Sequence, residues 1–266
     1  MELRHNTEEN RQAFGRLLQI MDELREQCPW DRKQTFGSLR KLTIEETYEL
    51  ADAILEEDLD GIREEVGDIM LHLLFYARIA SEQKAWAIAD ALHEACDKLI
   101  ERHPHIYGDV KVEDEEDVKR NWEQLKLRSG KRSVLAGVPN ALPAMVKAYR
   151  MQEKTRQVGF EWANAGQVWD KVEEEIGEFR EAAFGENPDP GKMEEEFGDL
   201  LFSLINFARF KEIDPEAALA RVNLKFKRRF EYIEAHADKD LREMTLQEMD
   251  ALWEQAKGEE GTGTLI

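Results

Sequence analysis

Two groups of carboxylates are the residues in this chain best suited to chemistry. Glu45, Glu46 and Glu49 form an EExxE motif, and Glu65 and Asp68 form an ExxD motif further on. The pattern returns as Glu174, Glu175 and Glu178, followed by Glu196 and Asp199. On a helix, residues three or four apart share a face, so each motif aims two or three carboxylates in one direction. If the helices carrying EExxE and ExxD are antiparallel neighbours, five like charges converge and repel strongly unless cations lie between them. Hard, oxygen-preferring divalent ions such as Mg²⁺ suit that donor set, and Mg²⁺ completes its shell with water and substrate phosphates.

Such motifs also arise on solvated helix faces, and this chain has 57 acidic against 37 basic residues, net −20. Two features argue for a site. Asp68 and Asp199 each precede a strongly apolar run, Ile69-Met70-Leu71 and Leu200-Leu201-Phe202, which predicts largely buried helices. A carboxylate cluster next to a core is costly unless it binds something. The second feature is the recurrence itself. EExxE repeats at an offset of 129 and ExxD at 131, with Ala77-Arg78 answering Ala208-Arg209. Lys98 and Arg102 answer Lys225 and Arg229, and Trp122-Glu123-Gln124 answers Trp253-Glu254-Gln255. The order is kept and the shifts are small enough for loops to absorb, so the chain is a tandem duplication.

The elements that must position these residues are helices. Helix formers dominate, and the 7 prolines and 16 glycines cluster instead of punctuating the chain as in a β-protein. An all-α fold of two tandem helical-bundle units follows. The breaker cluster from Ser129 to Pro143 places a linker at 129–143, between units at 1–128 and 144–257, with a frayed tail at 258–266. Helices are expected over 7–26, 39–56, 59–83 and 88–102, with a short one around Trp122, and the second unit repeats the last three long ones. Thr43-Ile44-Glu45-Glu46 resembles a capping box inside a helical stretch, which leaves that boundary open.

The acidic balance disfavours nucleic acid as a partner. The start of the chain lacks the apolar stretch of a signal peptide, and the longest near-apolar run, 69–77, is too short to span a bilayer. The cytoplasm is the expected location. Cys28 and Cys96 form no CxxC and are expected to be idle thiols.

EExxE, a gap, ExxD and a following helix with Lys and Arg resemble the all-α nucleoside triphosphate pyrophosphohydrolases, in the tandem form of the MazG family. Cys28-Pro29-Trp30-Asp31, Arg102-His103-Pro104-His105 and Val158-Gly159-Phe160-Glu161-Trp162 carry the resemblance over nearly the whole chain. It implies a homodimer that holds nucleoside triphosphates through Mg²⁺ and releases the monophosphate and pyrophosphate. Glu174, Glu175, Glu178, Glu196 and Asp199 would be ligands or activate water, with Glu45, Glu46, Glu49, Glu65 and Asp68 their equivalents. It also points to the C-terminal unit as the main hydrolytic one.

Lys225 and Arg229, one turn apart, can neutralise phosphate oxygens, as can Lys98 and Arg102, or all four can form ordinary salt bridges. Phe160 and Trp162 can stack on a base, with Lys154 and Arg156 nearby, or serve as core aromatics. His103 and His105 read as a loop end, with no second His or Cys pair at zinc spacing. Rival functions are a narrower dUTP or phosphoribosyl-ATP pyrophosphohydrolase and a non-enzymatic acidic adaptor. A di-iron bundle needs ExxH, which the second unit lacks.

Overall fold

The computed structural model describes residues 7–110 and 133–261, and the helix expected around Trp122 and the start of the linker lie outside these residues. All regular structure in the described residues is helical. The chain divides into two compact units, Met1–Trp122 and Glu123–Ile266.

In the first unit α1 (Glu8–Gln27), α2 (Phe36–Leu55), α3 (Leu59–Glu82) and α4 (Ile88–Arg102) follow in order, with a short α5 (Pro104–Tyr107). Their starts are written in local chemistry. The Thr7 hydroxyl accepts from the Asn10 amide, Thr35 and Ser38 form a reciprocal capping box, and the Asp58 carboxylate accepts from the Asp60 amide. Thr43, the other capping residue suggested by sequence, lies mid-helix. Its hydroxyl bonds to the Leu39 carbonyl and, at 2.5 Å, to the Tyr76 hydroxyl, so it ties α2 to α3. Met21, Leu39, Leu74, Phe75 and Ile79 form the buried core, with Leu17, Leu42 and Leu71 packed against it.

In the second unit a 3-10 turn at Val134–Gly137 leads into α6 (Ala144–Arg156), which is not among the expected helices. The unit continues with α7 (Ala165–Phe184), α8 (Pro190–Phe210), α9 (Pro215–His236) and α10 (Leu246–Gly261). Asn164, Asp189 and Asp214 cap α7, α8 and α9, and Pro190 and Pro215 occupy first-turn positions where a missing N–H costs nothing. Val168, Val172, Ile205 and Ile233 are buried. In each unit the two acid-bearing helices, α2 with α3 and α7 with α8, pack directly on one another. The duplication extends to backbone detail. Lys84 and Glu212, just past α3 and α8, both adopt φ of 56°, and Ala85 and Ile213 each donate back to an alanine carbonyl five residues earlier.

The acid-bearing ends of α3 and α8 are less buried than the apolar runs predicted. Met70 and Leu73 in the first unit, and Phe197, Leu201, Phe202 and Leu204 in the second, are exposed. Each helix buries one stripe against its own unit, and an apolar run longer than that stripe leaves side chains uncovered. Cys28 is half-buried and Cys96 exposed, both as free thiols.

Candidate functional site

Packing α2 on α3 brings Glu46, Glu49 and Glu65 together, with carboxylate oxygens within 4.8 Å of one another. Packing α7 on α8 does the same for Glu175, Glu196 and Asp199. The remaining acids, Glu45 and Asp68 in the first unit and Glu174 and Glu178 in the second, sit on the same helices beside these trios. Glu175 is only 5% exposed, and its Oε2 has no hydrogen-bond partner. An all-carboxylate trio with an unpartnered buried oxygen fits a hard divalent cation.

The two clusters differ electrostatically. Burial, then the negative charges of Asp68, Glu49 and Glu65, push the Glu46 carboxyl up to about 7. Glu65 is also raised, first by burial and then by Glu49. In the second unit the Lys171 ammonium lies 2.8 Å from both Glu174 Oε1 and Glu175 Oε1. These two hydrogen bonds raise the ammonium well above its ordinary range, so it stays charged. Glu196 is nonetheless raised, first by burial and then by Glu178, with Lys192 opposing. At the position 129 residues before Lys171 stands Leu42, a core contact.

A cavity of about 520 Å³ adjoins the second trio. Lys171, Glu175 and Asp199 line it, together with Phe160, Trp162 and Phe202. Phe160 is 79% exposed and Trp162 44%, so neither is a core aromatic. Gln152, Ser203 and Asn206 supply polar groups to the wall, and Arg209 grips both oxygens of Glu161 at 2.7 Å. The equivalents of Phe202 and Asn206 at offset 131 are Leu71 and Phe75, both in or against the first unit's core. Two polar positions of the cavity wall, Lys171 and Asn206, are thus apolar in the first unit, as Leu42 and Phe75.

The Lys/Arg pairs are placed elsewhere. Lys225 is exposed on α9, and Arg229 lies over the Trp253 ring at 5.4 Å; neither is among the cavity-lining residues. Lys98 is exposed and Arg102 half-buried on α4. His103 caps the end of α4 and His105 sits in α5. Lys171, Gln152 and Asn206 were missed from sequence. Lys171 lies one turn before Glu174 and Glu175, and the duplication offset sets Asn206 against a core Phe; both signals were legible. Gln152 belongs to the unanticipated α6 and had none.

Two tandem helical units, each closing a carboxylate trio across a helix pair, define a duplicated all-α protein with paired acidic sites. The MazG nucleotide pyrophosphohydrolase domain matches twice, at residues 34–107 and 167–233, covering both EExxE–ExxD patterns. The chain is 43% identical over 257 residues to "Nucleoside triphosphate pyrophosphohydrolase/pyrophosphatase MazG" of Thermotoga maritima, covering 94% of this chain and 97% of that protein. It is 41% identical to "Nucleoside triphosphate pyrophosphohydrolase" of Escherichia coli K12, covering 93% and 98%. The chain belongs to the MazG family.

Proposed function

We infer that the protein is a nucleoside triphosphate pyrophosphohydrolase that cleaves the α–β phosphoanhydride bond, giving the nucleoside monophosphate and pyrophosphate. Family membership supports the reaction class, and relatives spanning nearly the whole chain carry that name. The observation that carries the site assignment is the cavity that two acids of the second unit's trio, Glu175 and Asp199, line together with the exposed aromatics Phe160 and Trp162.

In this reading Glu175, Glu196 and Asp199 would hold Mg²⁺. The ion would neutralise the triphosphate and lower the pKa of bound water. Water adds to the α-phosphorus, the bond to the α–β bridging oxygen breaks, pyrophosphate leaves, and a carboxylate takes the water's proton. Glu174 and Glu178 remain beside the trio to complete the ligand set or accept that proton. Lys171 holds Glu174 and Glu175 in place. Phe160 and Trp162 stack on the base. Lys225 and Arg229, which are not among the cavity-lining residues, are assigned to phosphate oxygens on the family resemblance alone. The C-terminal unit is the hydrolytic one, supported by Lys171 and the cavity, where the first unit has Leu42, Leu71 and Phe75.

A homodimer is supported by the uncovered apolar side chains of α8 and α9, including Phe197, Leu201, Val222 and Phe226. No described helix is long and apolar enough to cross a membrane. The nucleotide substrate fits a cytoplasmic protein, and the net charge of −20 argues against nucleic acid.

The deciding experiment incubates purified protein with the common ribo- and deoxyribonucleoside triphosphates, with and without Mg²⁺, and separates the products. Monophosphate and pyrophosphate appearing only with metal is the expected outcome. Diphosphate and phosphate would overturn the assigned bond, and no product would favour a binding role.

A further inference from the structure

A buried ion pair stands in the wall of the cavity. Arg209 Nη1 lies 2.7 Å from Glu161 Oε2, its Nη2 donates to Glu161 Oε1 at 2.7 Å, and the arginine side chain is only 5% exposed. Such a pair adds little net stability, because taking both charges out of water offsets their attraction. What a fork-to-fork contact does fix is geometry. Glu161 belongs to the connection between α6 and α7, which leaves α6 through Gly159 at a φ of 87° and returns the Phe160 amide to the Thr155 carbonyl. It is flanked by the two exposed aromatics, Phe160 and Trp162, and its Oε1 also accepts from the Trp162 amide. Arg209 belongs to α8, three turns after Asp199, or about 15 Å along the helix axis. One helix therefore carries both an acid of the trio and the anchor of the aromatic segment.

In the first unit the equivalent arginine turns elsewhere. Trp30 and Asp31 stand 130 residues before Phe160 and Glu161, and Arg78 stands 131 before Arg209. Arg78 pairs with Asp22, Glu26 and Glu82, while the backbone carbonyls of Asp31 and Gln34 accept from Arg25 on α1. The direct tie from an acid-bearing helix to the aromatic segment thus goes with the unit that has the cavity. We propose that Glu161 and Arg209 are positioning residues, holding the segment of Phe160 and Trp162 at a fixed distance from the acids. A nucleotide with its phosphates at the acids then meets aromatic faces already in place, and preorganised groups bind without the cost of ordering them. The pair acts through the aromatics and not on the reacting atoms, so it sets affinity for the nucleoside part and leaves the chemical step alone. The inference rests on the reading of Phe160 and Trp162 as base-stacking residues.

The test measures Mg²⁺-dependent hydrolysis of nucleoside triphosphates, its inhibition by inorganic triphosphate, and binding of nucleoside monophosphates by Trp fluorescence, with Trp162→Phe identifying the cavity signal. Wild type is compared with Phe160→Leu, Glu161→Gln and the double variant Glu161→Gln/Arg209→Met. Glu161→Gln should raise KM about tenfold with kcat within about twofold, and weaken monophosphate binding by a similar factor. Inhibition by inorganic triphosphate, which has no base, should stay unchanged. The double variant removes both buried charges, so it should show the same rise even where Glu161→Gln fails to fold around an unpaired arginine. A fall in kcat with KM unchanged, or an equal loss of affinity for inorganic triphosphate, would overturn the proposal. Monophosphate binding lost in Phe160→Leu but kept in Glu161→Gln would defeat the anchor and leave stacking standing. Binding unchanged in Phe160→Leu would defeat the stacking reading and the proposal with it. A wild type that binds nucleotides, weakens in Glu161→Gln and Phe160→Leu, yet hydrolyses nothing would uphold the anchor and defeat the hydrolase reading.

Discussion

The two units carry the same five acids in the same order, yet they surround those acids differently. In the first, Glu46, Glu49 and Glu65 meet with Leu42 one turn before them, and Leu71 and Phe75 bind the neighbouring helices into a core. In the second, Lys171 stands at the Leu42 position, and Phe202 and Asn206 replace Leu71 and Phe75 along an open cavity. A motif shared by duplicates therefore does not assign a shared task. What separates the units is whether the positions flanking the acids are filled by the core or left open to a ligand.

The comparison can be broken most directly at Phe75, which is 3% exposed. Phe75→Ala should destabilise the first unit by about 3–5 kcal/mol, from lost burial plus the cavity left behind. The equivalent Asn206→Ala should cost far less stability, and calorimetry on both variants reads the difference. Similar losses would mean that the two positions are alike after all.

Next in size, Glu175→Gln or Asp199→Asn should reduce Mg²⁺-dependent turnover by at least about a hundredfold with the fold intact, on the scale of losing a group that stabilises developing charge. Glu46→Gln should leave turnover near wild type. Steady-state rates with pyrophosphate detection decide, and equal losses at Glu46 and Glu175 would make both units hydrolytic. Lys171→Met should have a smaller effect, about tenfold in kcat/KM, as an oriented cation is lost beside the acids. Unchanged kinetics would reduce Lys171 to a structural counter-ion.

The smallest effect is on the pH dependence of metal-free stability. Glu46 is raised to about 7 in the folded chain, so between its ordinary value and 7 the folded state binds more protons than the unfolded one. Stability contributed by this group is full below the ordinary carboxylate range and is lost as pH rises through about 7. Melting curves in chelator should therefore fall in temperature between pH 5 and 8, less steeply in Glu46→Gln, with added Mg²⁺ restoring the loss at high pH. A flat wild-type profile would contradict the shift.

Much of this architecture was legible in the chain. Helices expected over 7–26, 39–56, 59–83 and 88–102 correspond to α1 through α4 with boundaries shifted by a few residues, and the turns at Lys84 and Glu212 repeat as the duplication requires. Both trios came from the acids that EExxE and ExxD point to, although Glu45, Asp68, Glu174 and Glu178 fall outside the closest groups. Helix α6 fell outside the expected set because only the last three long helices of the first unit were carried into the second and the segment ahead of them was assigned no helix, and with it went Gln152. The burial expected of the ExxD helices was overstated because an apolar run does not say how much of it a neighbour covers.

Sequence by itself determined what is local and periodic: which segments are helical, how they are capped, that the unit is duplicated, and which helix faces carry acid. Only the tertiary structure decided which carboxylates meet across each helix pair, that Gln152 reaches the Phe202 carbonyl on a neighbouring helix, and that Phe75 is buried. Helical periodicity is a property of residues a few positions apart. The rotation and depth at which two helices pack arise from side chains far apart in sequence, and those set where a cavity opens.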